Sequence, residues 1–318
     1  MARSNPRSLE PARRATRSLV ALLLVVISLG CEQTSSGVSR ELHELERLAF
    51  LPVGRAYFPG YREPYDVFSI ERPLLVDRYE ATVGDWQHYF GPELPWMDSR
   101  AQLEEEPESW PVSLTLHEAQ ALAEARGMRL LLAREWIYCA VGSRSHPFPW
   151  GQNARSSAAN TLELGLGGPA SVGTFENGAN PYGCYDLLGN VWEWVEGQIS
   201  SWRSPPPNSA WAMGGSWLSH MRPVYALPEA GPSRIPVFNQ IAIDELTRSR
   251  DIGVRHCADA REYLLAKSKS WGTNGEAERR LIAIGERFGE EALELIEELS
   301  ELPDAAPGLG WLAEGARR

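Results

Sequence analysis

The chain has 318 residues, 43% of them hydrophobic and 23% charged, enough to build a packed core and to exclude wholesale disorder. The formal net charge is −11; without residues 1–30, which hold five arginines and one glutamate, 26 basic residues face 41 acidic ones. Such a surface repels phosphate backbones and argues against nucleic acid as a partner.

Residues 1–31 read as an export signal. Arg3, Arg7, Arg13, Arg14 and Arg17 precede an apolar run over 19–27, which ends in Ser28-Leu29-Gly30-Cys31. A basic start, a short apolar stretch and a small residue before the cut are the parts of a secretory signal, and the run is short for a membrane span. The cysteine directly after it resembles a bacterial lipobox, with Ser28 and Leu29 in exchanged order. The expectation is a lipoprotein of the bacterial cell envelope, held to a membrane through lipidated Cys31. An ordinary signal peptide or an uncleaved anchor are the alternatives.

Residues 32–50 read as a polar tether that runs into a short helical stretch over 40–48. From 51 to 258 the texture is that of an α+β domain rich in Gly, Pro and Trp. Strands are predicted at 65–70, 74–77, 211–215 and 252–256. Thr82-Val83-Gly84-Asp85 opens a helix with Trp86, Tyr89 and Phe90 on its buried side. Thr115-Leu116-His117-Glu118 is a capping box, and the stripe Leu116, Ala119, Leu122, Ala123 runs to a stop at Gly127. A third helix is predicted over 133–141, before Gly142. Cys139, Cys184 and Cys257 allow one pair at most, and burial as small apolar residues is expected. Residues 259–318 form an acidic helical extension. Within it 276–302 reads as one long amphipathic helix, with Leu281, Ile284, Phe288, Ala292, Leu295, Ile296 and Leu299 on one face. That face packs on the domain or binds a partner.

An ordered series of motifs lies within the domain: Tyr79-Glu80-Ala81-Thr82, Pro111-Val112, Gly127-Met128-Arg129-Leu130, Glu135-Trp136-Ile137-Tyr138, Pro149-Trp150-Gly151, Asn180-Pro181-Tyr182-Gly183, Asp186-Leu187-Leu188-Gly189-Asn190-Val191-Trp192-Glu193-Trp194, Gly214-Gly215-Ser216-Trp217 and Gly253-Val254-Arg255. In this order they resemble the formylglycine-generating enzyme, or sulfatase-modifying-factor, family. The resemblance implies an irregular α+β fold related to C-type lectins and low in regular structure.

Asp186 and Glu193 are hard carboxylate ligands flanking a tight turn, with the carbonyls of Gly189 and Val191 between them, a donor type that suits calcium. The resemblance assigns these four positions to a structural calcium ion; acceptance of backbone hydrogen bonds by Glu193 is the plainer reading. A second calcium site of the family is half visible at Asn160 and Thr161. The family's oxidase chemistry rests on two cysteines that hold copper(I), three and eight residues after the serine of Gly-Gly-Ser. Those positions here are Ser219 and Val224, neither a soft sulfur ligand, so copper is not expected. His220 and Met221 stand beside the vacated position. The histidine-rich motif of the family's iron-dependent branch is absent from the sequence.

The expected function is a non-catalytic binding or scaffold module whose ligand is an envelope protein, peptide or glycan. Trp150, Trp192, Trp194, Trp202, Trp211 and Trp217 are either lining for a groove or pins of the core. The alternative is an oxidoreductase acting on protein cysteine, or a related metal-dependent oxidase with altered ligands.

Overall fold

A computed structural model describes residues 39–56, 68–93, 107–197, 204–221 and 240–318. The second half of the expected tether is part of the fold. Ser39 accepts the Leu42 N–H and caps α1 (Arg40–Glu46), whose Leu42 and Leu45 are fully buried. The next residues form β1 (Leu48–Leu51), which is buried on both faces. Ala49 and Leu51 face the domain core, while Leu48 and Phe50 face the C-terminal helices. A strand with this alternation needs cover on both sides, and the extension supplies the second cover.

β1 pairs antiparallel with β4 (Leu74–Asp77), and β10 (His256–Asp259) joins β4 to the short β5 (Arg129–Leu130). A small hairpin is made of β2 (Gly54–Ala56) and β3 (Phe68–Ile70). The second four-stranded sheet runs β8 (Gln240–Asp244), β7 (Ser209–Met213), β6 (Trp192–Trp194), β9 (Ile252–Val254), and only its β6–β9 pair is parallel.

Three helices dress these sheets. α2 (Val83–Phe90) begins at a Thr82–Asp85 capping box, and α3 (Leu116–Arg126) at the Thr115–Glu118 box, ending on Gly127 at φ 70°. The α3 stripe is buried as its spacing predicts. On α2 the expectation holds for Trp86 but not for Phe90, which is 44% exposed and covers the Trp86 ring from outside. α4 (Ala133–Val141) occupies the predicted span and carries Trp136 into the centre of the domain.

The expected long helix is two. α6 (Gly275–Phe288) and α7 (Glu290–Ser300) are separated by Gly289 at φ 73°, where the chain turns; α5 (Ala260–Lys267) precedes them and α8 (Pro307–Ala316) follows. The apolar stripe is spent inside the molecule: Leu281, Ile284, Phe288, Ala292, Ile296 and Leu299 pack with α8, Trp271 and the α1–β1 segment. Most of the predicted stripe therefore packs inside the molecule, while Leu295 is half-buried at its edge. Among the described residues no helix is long and apolar enough to cross a membrane.

Candidate functional site

Gly183 (φ 82°) and Gly189 (φ 83°) bend the backbone, and Asp186 and Asn190 take the same left-handed conformation at φ 57°. Gly189 is required twice, since an added Cβ would stand 2.3 Å from the Asn160 carbonyl oxygen. This close approach lets the Asn190 N–H donate to that carbonyl at 2.8 Å.

Asn190 ties the site together. Its Nδ2 donates to Glu80 Oε2 at 2.6 Å, its Oδ1 accepts from Asn160 Nδ2 and from the Ala170 N–H, and its carbonyl accepts from the Trp217 N–H. The other Glu80 oxygen accepts from the Val191 N–H. Asn190 thus joins its own motif to those of Glu80 and Trp217, and to Asn160 and Ala170. The sequence displays Asn190 and Glu80 as motif letters, but their partnership spans 110 positions and leaves no local signal.

Glu193 lies on β6 with its carboxylate fully buried. Trp136 Nε1 donates to Oε2 at 2.7 Å, and the Arg255 guanidinium reaches both oxygens, at 2.7 Å from Nη2 to Oε1. Arg255 also donates to the carbonyls of Asp77 and Tyr185. Burial disfavours its charge, yet Glu193 outweighs that and holds the guanidinium above its ordinary pKa. Asp186 accepts the Gly173 N–H at 2.7 Å.

Glu80, Asp186 and Glu193 are therefore three buried carboxylates, close enough to repel one another, with Arg255 as their buried counter-charge. Burial first, and then the other two carboxylates, raise Glu80 well above the usual range. Burial, with Glu193 adding to it, pushes Asp186 up to about 6. Excess buried negative charge is relieved by a proton or a cation. The Asn160 Oδ1 beside this turn is buried and takes no hydrogen bond. Hard oxygens and unbalanced negative charge fit a calcium ion in type; Asp186 and the carbonyls of Gly189 and Val191 would be the groups to hold it. Glu193 fits less well, because both its oxygens already accept strong donors. Among the described residues no three His, Cys, Asp or Glu side chains converge in a metal-holding arrangement, so such an ion would lean on backbone and amide oxygens.

The raised Asp186 carboxyl gives stability a pH dependence of definite sign. Between about pH 4 and pH 6 folded Asp186 keeps a proton that the unfolded chain has released, so its contribution to stability falls as pH rises through that window. In metal-free buffer Asp186→Asn is expected to gain on the wild type by an amount on the order of 2 kcal/mol across it. Added calcium should raise the wild-type melting temperature at pH 7 and leave the variant unchanged. Parallel pH profiles and no calcium response would contradict this reading.

At the vacated oxidase position, Ser219 accepts the Ser216 N–H on its Oγ at 3.0 Å and donates its own N–H to the Ser216 carbonyl, while its carbonyl accepts from Leu162. The hydroxyl is a turn cap. His220 lies 3.1 Å from Glu163 on the surface, and the Met221 N–H donates to the same carboxylate. Val224 and Cys31 lie outside the described residues, as does Trp202. Cys139, Cys184 and Cys257 are fully buried, as expected. Of the tryptophans weighed as groove lining, Trp194 is a core pin, and Trp150, Trp192, Trp211 and Trp217 are half-buried.

A family model described as the sulfatase-modifying factor enzyme 1-like domain matches residues 35–260. The chain is 38% identical over 105 residues to a hercynine oxygenase of Mycolicibacterium smegmatis, covering 31% of this chain and 24% of that protein. It is 30% identical over 118 residues to the inactive C-alpha-formylglycine-generating enzyme 2 of Bos taurus, covering 34% and 38%. To the formylglycine-generating enzyme of Mycobacterium tuberculosis it is 30% identical over 139 residues, covering 39% and 44%. The chain thus spans less than half the length of these relatives. Among solved structures, PvdO from Pseudomonas aeruginosa superposes with a TM-score of 0.50 at 22% identity over 67% of this chain and 94% of that one. Treponema denticola variable protein 1 does so at 0.50 and 17% identity, with the same coverage. These likenesses show the fold.

Proposed function

The chain belongs to the sulfatase-modifying factor enzyme 1-like family, and on that premise we propose that it is an exported, lipid-anchored module of the bacterial cell envelope that binds rather than oxidises. The observation that carries the non-catalytic half is Ser219. At the position of the family's first copper cysteine stands a hard hydroxyl whose oxygen already serves as an acceptor for the Ser216 amide. Copper(I) needs soft sulfur, and the sulfurs of Cys139, Cys184 and Cys257 are enclosed in the core. A relative named as inactive, similar over part of its length, is consistent with loss of the chemistry on a retained fold.

The binding role rests on the surface around Ser219. Leu162, whose amide donates to the Ser219 carbonyl, is 45% exposed; Leu166 is 56% and Leu218 52% exposed. Leu162 and Leu218 thus expose apolar surface beside Ser219, where a peptide, a glycan or an envelope protein would bind.

The export half rests on the arginine-rich start, the apolar run and Cys31. Fractionation of cells tests it. The wild type is expected in the detergent-soluble membrane fraction with incorporated labelled palmitate, and Cys31→Ala is expected to lose the label. A wild-type chain that remains unlabelled in the soluble cell fraction would overturn this half.

A further inference from the structure

Cys139 sits on α4 and Cys184 follows the Gly183 bend, yet their sulfurs are 3.8 Å apart with both residues fully buried. A side chain between them fixes that distance. Asn180 Nδ2 donates to the Cys139 carbonyl at 2.8 Å, Asn180 Oδ1 accepts the Cys184 N–H at 2.9 Å, and the Asn180 N–H donates to the Cys184 carbonyl. One amide therefore clamps both cysteine backbones and pins the 180–184 loop to the C-terminal turn of α4. Cys257 stands apart, with its sulfur near the Leu130 carbonyl and the Glu135 carboxylate. We propose that Cys139 and Cys184 form an internal disulfide when the chain folds in the presence of a disulfide oxidant, leaving Cys257 as a thiol.

A covalent S–S bond is about 2.05 Å long, so the sulfurs must close by roughly 1.8 Å, within reach of side-chain rotation and a small loop adjustment. The sulfurs are shielded once folding is complete, so the bond forms before the 180–184 loop docks. The Cys184 thiolate attacks one sulfur of the oxidant; that S–S bond breaks, one thiolate leaves, and a mixed disulfide forms. Cys139 then gives up its proton to solvent, attacks Cys184 and expels the second thiolate. The two cysteines lose two electrons and two protons, and the oxidant is reduced to two thiols. The bond closes a span of 45 positions, long enough to restrict the unfolded chain substantially. The chemistry belongs to the fold; only its occurrence in the cell rests on the export reading.

The full chain, refolded in oxidised and reduced glutathione, alkylated and digested with trypsin, tests the proposal. The three core cysteines fall on separate peptides, 135–144, 156–203 and 256–261. The expected product links the first two and leaves the third alkylated, and the oxidised protein should melt roughly 5 °C or more above the reduced one. Cys139→Ala and Cys184→Ala should each abolish that redox dependence, and Cys257→Ala should retain it. Free Cys139 and Cys184 thiols in oxidising buffer, or a link to Cys31 or Cys257, would overturn the proposal. Thiols trapped during cell lysis separate it from the export reading. A bond that forms in vitro beside free thiols in the cell would leave the disulfide standing and count against export.

Discussion

Arg255→Met is expected to destabilise the fold by about 3–5 kcal/mol. The reason is the charge left behind. Arg255 is 0% exposed and its partner Glu193 1%, and the same guanidinium is the buried counter-charge for Glu80 and Asp186. Without it, Glu193 retains the Trp136 N–H but no balancing charge, and two backbone carbonyls, of Asp77 and Tyr185, lose their donor. Glu193→Gln should cost less, since the guanidinium still faces Glu80 and Asp186 and only its bonds to residue 193 weaken. The double variant is expected to recover about 2 kcal/mol relative to the sum of the singles, because the charge that Arg255→Met strands on Glu193 is then absent. Urea unfolding of the four proteins measures this. Singles within about 1 kcal/mol of wild type, with additive effects, would show that the pair is solvated in solution.

Gly315→Val is expected to detach α8, at about 3 kcal/mol or more. α6 and α8 cross with their backbones in contact: a Cβ on Gly315 would lie 2.0 Å from the Ile282 carbonyl oxygen, and one on Gly285 2.1 Å from that of Leu312. Backbone cannot move aside as a side-chain end does, so the helices must separate. That exposes Leu309, Leu312 and Trp271, each now buried, and each of the leucines alone contributes about 1.5–3 kcal/mol. Gly310 is the control. It lies on the same helix, and a Cβ added there would meet nothing within 4 Å, so Gly310→Ala should stabilise slightly through helix propensity. Amide exchange over 307–316 reads both outcomes. Protection in Gly315→Val equal to wild type would mean that the crossing is looser than the glycines indicate.

Short-range signals are legible in the sequence. The Thr115–Glu118 box and the Gly127 stop mark α3 because a cap and its partner lie three residues apart. The turn at 186–193 is legible because glycines and carboxylates stand close together in the chain. What escapes reading depends on distance. Residues 39–50 look like a tether because the partners of β1 lie in β4 and in the C-terminal helices, far along the chain. Gly289 breaks the long helix without breaking its apolar spacing, since Phe288 and Ala292 keep the four-residue step across it and the Gly289 N–H still reaches the Gly285 carbonyl. The counter-charge role of Arg255 emerges only when β9 and β10 bring it beneath Glu193, 62 positions away.

That this family member binds without oxidising is tested most directly by a product assay. The full chain is loaded with one equivalent of copper(I) under reducing, oxygen-free conditions, dialysed, and exposed to air with a cysteine-bearing peptide. Copper is expected to be lost on dialysis, and the peptide cysteine to give no aldehyde by mass spectrometry beyond a free-copper control. Stoichiometric retention of copper together with conversion of the cysteine to formylglycine would contradict the non-catalytic role.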